Sequence, residues 1–211
     1  MIRLFDIIFS GLGLIVLSPI FLIVYVLIRL ESKGGGFYAQ ERIGQNGEPF
    51  NLYKFRSMRM GADKGSQITI GGRDPRITRM GYFIRRSKID ELPQLWNVLT
   101  GDMSLVGPRP EVKRYVNLYT EEQRRVLSVR PGITDWASIE YVDENDILGQ
   151  AVDPDRAYIE QIMPDKIRFN MKWINNQSIT EYFRIIFMTF FKIVNKNNKN
   201  QKAYESTVFS S

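Results

Sequence analysis

The chain has neither cysteine nor histidine among its 211 residues. Without cysteine there is no disulfide to staple the fold and no thiolate to act as a nucleophile. Without histidine the commonest general base and metal ligand is missing. No internal repeat recurs, which excludes solenoids and propellers. No glycine-rich run stands between a clear strand and a helix, so neither a Walker-type phosphate loop nor a dinucleotide fingerprint is present. Any chemistry must come from Asp, Glu, Lys, Arg or hydroxyl groups. Negative charge is the scarcer sign, since 29 Lys and Arg against 23 Asp and Glu leave a net charge of +6. That balance fits nucleic acid, a membrane of anionic lipids or a polyphosphate substrate. The length suits one domain with small appendages, and 44% apolar residues are enough for a core.

The N-terminus narrows these choices. Ile7 to Ile28 carries no charge, long enough to cross a hydrocarbon core of about 30 Å. It lacks the short apolar core and small-residue cleavage site of a secretory signal, so it is expected to be retained. Arg3 precedes it and Arg29 and Lys33 follow it, so the positive-inside rule sets no orientation. Pro19, near its middle, lacks an N–H and clashes with the carbonyl of Ile15, and the Ser18 hydroxyl is placed to satisfy a freed backbone group. A kinked spanning helix and a helix that turns back within one leaflet are both compatible with this pattern.

Phe37 to Ile43 and Pro49 to Met58 read as strands, joined by the turn signal Gly44-Gln45-Asn46-Gly47. Alternation sets Phe50, Leu52, Lys54 and Arg56 on one side of the second strand. A polar, Gly-rich loop at 59–76 is expected next, as a mobile cover or a disordered stretch, then a short helix from Arg79 to Arg86. The densest stretch runs from Ser87 to Pro110. There Leu92, Leu95, Trp96 and Leu99 fall on one stripe of a helix that Gly101 ends. Asp90 sits at its expected N-cap, with Glu91 beside it and Arg85 and Arg86 just upstream. Spare N–H groups and the helix dipole favour anions at that end. An ordinary cap with a first-turn acid is the plain alternative. Gly107-Pro108-Arg109-Pro110 is a stiff turn presenting a guanidinium, and carboxylates among arginines suit phosphate chemistry. Val112 to Val129 reads as a further helix. Ile179 to Val194 is too short and too charged to span a membrane, and suits an interfacial or a core-docking helix.

Five ordered motifs, Lys54-Phe55-Arg56-Ser57-Met58, Asp74-Pro75-Arg76-Ile77-Thr78, Asp90-Glu91-Leu92-Pro93, Gly107 to Pro110 and Arg130-Pro131-Gly132-Ile133-Thr134, follow an apolar N-terminus containing Ser18-Pro19. In these the chain resembles the small monotopic polyprenyl-phosphate sugar-1-phosphate transferases, the bacterial sugar transferase family, over about residues 1 to 137. The resemblance implies a mostly helical α+β fold, with a re-entrant membrane helix broken at Ser18-Pro19, a small β-hairpin, and interfacial and amphipathic helices around a compact catalytic core. Asp6 would then lie at the membrane interface. The implied organisation is a membrane helix with its flanks at 1–33, a catalytic domain at 34–178, an amphipathic or core-docking helix at 179–194 and a disordered tail at 195–211. It further implies transfer of a sugar-1-phosphate from a UDP-sugar to a polyprenyl phosphate at the cytoplasmic face of the inner membrane, with membrane lipids as partners and no nucleic acid. Asp90 would attack the sugar-linked phosphorus and Glu91, with Asp90, would hold Mg²⁺. Lys54, Arg56, Arg85, Arg109 and Arg130 would bind phosphate. A homodimer is one open arrangement.

The resemblance weakens after Thr134, where relatives carry neutral and basic groups and this chain has Asp135-Trp136-Ala137-Ser138, then Glu140, Asp143, Glu144 and Asp146. A carboxylate in a partly desolvated pocket selects for a cation. Asp135 and Glu140 are therefore expected to set sugar specificity and favour a free amino-sugar, against a solvated acidic loop. Two other functions stay open. One is a membrane-anchored lipid- or nucleic-acid-binding protein without chemistry. The other is a glycosyltransferase that releases UDP, with Asp143 to Asp146 holding metal.

Overall fold

The computed structural model describes residues 1–62 and 74–192. Most of the expected loop at 59–76, the last two residues of the expected 179–194 helix and the whole tail at 195–211 lie outside the described residues. The fold is mostly helical with two small sheets. Helix α1 (Ile2–Glu31) runs unbroken through Pro19, and by length and composition it is the one described helix able to cross a membrane. The gap at Pro19 is mended locally, because the Ser18 hydroxyl donates to the Ile15 carbonyl at 2.8 Å, the acceptor that a residue 19 N–H would otherwise serve.

Both ends of α1 are tied to the rest of the chain. Near its start the Arg3 guanidinium donates to the carbonyls of Val98 at 2.5 Å and Leu99 at 2.9 Å. Asp6 is buried in protein rather than poised at the interface. Its Oδ1 accepts from the Ser104 hydroxyl, the Leu105 N–H and the Tyr182 hydroxyl at 2.9 to 3.0 Å. Near its end Val24 and Ile28 pack with Phe55 and Ile84. Between these anchors Leu12, Ile15, Val16, Leu22 and Ile23 are exposed, an apolar surface too large for water alone to face.

Strands β1 (Phe37–Ile43) and β2 (Pro49–Phe55) form the expected antiparallel hairpin, Phe37 opposite Phe55 and Ile43 opposite Pro49. Asn46 and Gly47 take the left-handed conformations of its turn, with φ of 58° and 81°, which these two residue types adopt at least strain. The second strand stops at Phe55, three residues short of expectation. Helix α2 (Arg79–Arg86) matches its expected span. Thr78 caps it, and so does Glu31 from the end of α1, whose carboxylate accepts from the N–H groups of Arg79 and Met80.

Helix α3 (Gln94–Thr100) begins later than expected. Pro93 has no N–H to donate to Ile89, so residues 89–91 close as a 3₁₀ turn and the α-helix starts only after the proline. Asp90 is thus inside that turn and not the N-cap. The buried face of α3 is also partly polar, with Gln94 and Asn97 beside Val98. Leu95 and Leu99 of the expected stripe instead approach Gly13 and Gly11 of α1, and Trp96 stays 52% exposed.

Beyond Gly101 lie β3 (Ser104–Val106) and α4 (Lys113–Val116). The expected helix at 112–129 is two short pieces. Thr120 and Gln123 exchange backbone and side-chain hydrogen bonds as a capping box, which starts a new 3₁₀ segment at Gln123–Ser128. Strand β4 (Gly132–Thr134) then pairs in parallel with β3. Helices α5 (Trp136–Glu140), α6 (Glu144–Gln150), α7 (Pro154–Ala157) and α8 (Met163–Asn175) follow. The final helix, α9 (179–192), buries Tyr182 and Ile185 against Val106, Ile139 and Trp173. It docks on the core, while Phe187, Phe190 and Phe191 point outward and exposed. Phe183 meets Phe5 and Phe9 of α1 edge-on at 5.2 and 6.1 Å, so the apolar surfaces of α1 and α9 are continuous.

Candidate active site

Four structural units converge on Asp90 and Glu91. The turn that holds them opens on Lys88 in a left-handed conformation, φ 59°. Strand β2 brings Lys54, whose Nζ lies 3.3 Å from Glu91 Oε1. The strand is held in place by Asn97, which the sequence reading did not single out. Its Oδ1 accepts from the Tyr53 N–H at 3.0 Å and its Nδ2 donates to the Asn51 carbonyl at 2.7 Å. A polar residue on the inner face of a short helix was the only signal for it.

Arg109 enters from the turn after β3, and its guanidinium grips Glu91 through both terminal nitrogens. Two close backbone approaches set that turn. The Gly132 N–H donates to the Pro108 carbonyl at 2.9 Å and the Gly107 N–H to the Thr134 carbonyl at 3.0 Å. A Cβ on Gly132 would lie 2.1 Å from the Gly107 nitrogen, and one on Gly107 2.5 Å from the Arg130 carbonyl oxygen. The Gly107–Pro110 and Arg130–Thr134 motifs are therefore two halves of one structure. Gly132→Ala is expected to remove about 3 kcal/mol or more of stability, measured as a lowered unfolding midpoint in detergent. An unchanged midpoint would show that the two turns part without penalty.

The two carboxyls are driven apart in character. Asp90 is buried, its Oδ1 makes no hydrogen bond, and burial and the neighbouring Glu91 charge raise its pKa. Burial alone would push Glu91 the same way, but Arg109 and Lys54 hold it well below the usual carboxylate range. Lys54 pays for the same enclosure, because desolvation brings its ammonium down to about 8 despite Glu91. Arg109 is held above its ordinary value by Glu91. Arg85 contributes to the positive field at Asp90, as its place at the end of α2 predicts. Such a divergence between adjacent acids is the pattern of a site with assigned chemical tasks.

The remaining expected site residues lie elsewhere, for identifiable reasons. Arg56 falls past the end of β2, and its guanidinium donates to the carbonyls of Lys33 at 2.7 Å and Ser32 at 2.9 Å, closing the exit of α1. Arg130 donates to the Gly101 carbonyl at the far end of α3. Asp135 is fully buried, closed off from a cationic sugar, and both of its oxygens accept backbone N–H groups. Its Oδ1 caps α5 by accepting from the Ser138 N–H at 2.6 Å, and its Oδ2 accepts from the Arg109 N–H at 3.1 Å. It is a support for Arg109. Glu140 is exposed at the end of α5. Glu144 pairs with Lys166 at 3.0 Å, and among the described residues no three metal-binding side chains group together.

The family described as "Bacterial sugar transferase" matches residues 1–196. The chain is 39% identical over 190 residues to a UDP-N-acetylgalactosamine-undecaprenyl-phosphate N-acetylgalactosaminephosphotransferase of Aeromonas hydrophila, covering 87% of this chain and 41% of that protein. It is 34% identical over 200 residues to the UDP-glucose:undecaprenyl-phosphate glucose-1-phosphate transferase of Escherichia coli K12, covering 90% and 40%. The chain thus spans about two fifths of the length of these two relatives. Against the exopolysaccharide production protein ExoY of Sinorhizobium fredii it is 33% identical over 202 residues, covering 89% of this chain and 82% of that protein.

Proposed function

The chain belongs to the bacterial sugar transferase family, and from that premise we propose that it transfers a sugar-1-phosphate from a UDP-sugar to a polyprenyl phosphate and releases UMP. The observation that carries this reading is the buried, unpaired Oδ1 of Asp90 beside a Glu91 clamped by Lys54 and Arg109. A binding protein has no use for a desolvated carboxylate oxygen that accepts no hydrogen bond. A nucleophile does, because poor solvation leaves the oxygen reactive. Asp90 Oδ1 attacks the sugar-linked phosphorus, the bond from that phosphorus to the bridging oxygen breaks, and UMP departs. A phosphate oxygen of the polyprenyl carrier then attacks the same phosphorus, the bond to Oδ1 breaks, and polyprenyl-diphosphate-sugar leaves with Asp90 restored. Arg109, Lys54 and Arg85 bear on the oxygens that gain charge in both steps.

The donor set fits Mg²⁺ in the manner of nucleotide enzymes, which supply one or two carboxylates and leave the other positions to phosphate and water. Glu91 would hold the ion, with the Asp90 carboxylate able to share it, and an ion bound there would neutralise diphosphate charge and improve the leaving group. Recovering the nucleotide product tests the function directly. UMP from a UDP-sugar and polyprenyl phosphate is the expected product, UDP would mean sugar transfer without phosphate, and no nucleotide would leave a binding protein.

We place this chemistry at the cytoplasmic face, with both ends of α1 on that side of the bilayer although the helix is not broken at Ser18-Pro19. The support is the attachment of both ends of α1 to one domain while its middle stays exposed, with the outward phenylalanines of α9 continuing that surface. A lipid phosphate and a cytosolic sugar nucleotide meet only at headgroup height. A cysteine placed at position 2 and one at position 34 are both expected to resist a membrane-impermeant thiol reagent in intact cells. The absence of native cysteine makes the labelling unambiguous. Labelling at position 2 from outside would mean a spanning helix.

A further inference from the structure

Behind the Pro108–Glu111 turn lies a narrow cleft walled by Arg109, Glu111, Tyr119, Tyr158, Lys166 and Asn170. Its charged groups are satisfied among themselves. Glu111 accepts from the Tyr158 hydroxyl, lies 3.7 Å from Arg42 and 3.9 Å from Lys166, and Lys166 pairs with Glu144. One wall is different. The Asn170 side chain is 6% exposed, and its Oδ1 is buried without any hydrogen-bond partner among the described residues. An apolar residue of that size would pack there without leaving a polar atom unpaired. A carboxamide offers an acceptor and two donors at one point, the pairing that a hydroxyl or an acetamido group completes.

The position of the cleft identifies what brings such a group. Arg109 lines it and also grips Glu91 beside Asp90, so a phosphate drawn to Arg109 at that turn sets its sugar toward the cleft mouth. The floor is only about the size of one or two water molecules, which admits a substituent of a sugar ring and excludes a nucleobase or a whole pyranose. We propose that Asn170 is a specificity-determining residue that reads one hydrogen-bonding substituent, hydroxyl or acetamido, of the transferred sugar. This rests on the transferase reading above. A site that hydrogen-bonds its substrate rejects the analogue lacking the partner far more strongly than an apolar pocket does.

The experiment compares UDP-N-acetylgalactosamine and UDP-glucose as donors for the wild type, Asn170→Asp and Asn170→Leu, with UMP release as the readout and UMP itself as an inhibitor. Asn170→Asp preserves shape and replaces the N–H donors, so it carries the test if the leucine variant folds poorly. Both variants are expected to lower kcat/KM for the better donor about tenfold or more, chiefly through KM. The ratio between the two donors should change, while inhibition by UMP, which has no sugar, stays the same. The unfolding midpoint of Asn170→Leu should not fall, since the replacement removes an unpaired polar atom. Equal losses for both donors, or altered UMP inhibition, would overturn the assignment and leave Asn170 a packing residue or the seat of a bound water. If the wild type releases no UMP from any UDP-sugar, the transferase reading falls first and this one with it.

Discussion

Asp90→Asn is expected to abolish sugar-phosphate transfer, by at least about a thousandfold, and to abolish any phosphosugar-labelled form of the protein, while leaving the fold intact or firmer. The first half follows from chemistry, since an amide oxygen is not a usable nucleophile toward phosphorus. The second half follows from the environment. Burial and the charge of Glu91 raise the Asp90 pKa, so the folded chain binds its proton more tightly than the unfolded chain does. A carboxyl raised in this way opposes folding above its ordinary titration range and ceases to do so below it. Removing its charge should therefore raise the unfolding midpoint near pH 7 in metal-free buffer, and the gain should vanish below about pH 4. A variant that is inactive because it is damaged would show the opposite shift. Near-normal turnover by Asp90→Asn would remove the residue from the mechanism, whatever its stability.

The parts of this site that were legible in the sequence are those defined locally. The hairpin over residues 37–55 announced itself through alternation and its Asn-Gly turn. Helix α2 appeared with its expected bounds, and the pairing of Lys54 and Arg109 with the Asp90-Glu91 turn was implied by shared motifs. What escaped depends on backbone groups that no side-chain pattern displays. Arg3, Arg56 and Arg130 all spend their guanidinium groups on helix-terminal or turn carbonyls, and from sequence such an arginine is indistinguishable from one that binds phosphate. Asp135 looks like a free acid until β4 brings it beneath the Arg109 N–H. The parallel pairing of β3 with β4 is the root of that misreading. Each strand is only three residues long, too short to show a period, and the pairing depends on two glycines that let the backbones touch. Pro93 shows the converse, a local rule applied too loosely, since it delays the α-helix and so buries Asp90 in a tighter turn.

Glu91→Gln should separate the electrostatic duty of that residue from its duty to a metal. In the protein its carboxylate faces Lys54 and Arg109 with little water between them, the side chains being 14%, 18% and 30% exposed. Withdrawing the negative charge leaves two cations enclosed together, and breaking a buried pair in this way destabilises by about 3–5 kcal/mol. The partial exposure of Arg109 argues for the lower part of that range. Arg109→Met added to Glu91→Gln should recover much of the loss, because one stranded cation is removed, so a double-mutant cycle will show strong coupling. Activity should not follow stability. Glu91→Gln should lower turnover by about a hundredfold and move half-saturation by Mg²⁺ to higher concentration, since a neutral amide is a poor ligand for a hard cation. The double variant, though refolded, should be slower still, having lost the guanidinium that steadies phosphate oxygens in transfer. If instead the Mg²⁺ titration of Glu91→Gln overlays that of the wild type, Glu91 serves only to position Lys54 and Arg109, and Asp90, with its unpaired Oδ1, is left as the carboxylate of this turn for a metal to share.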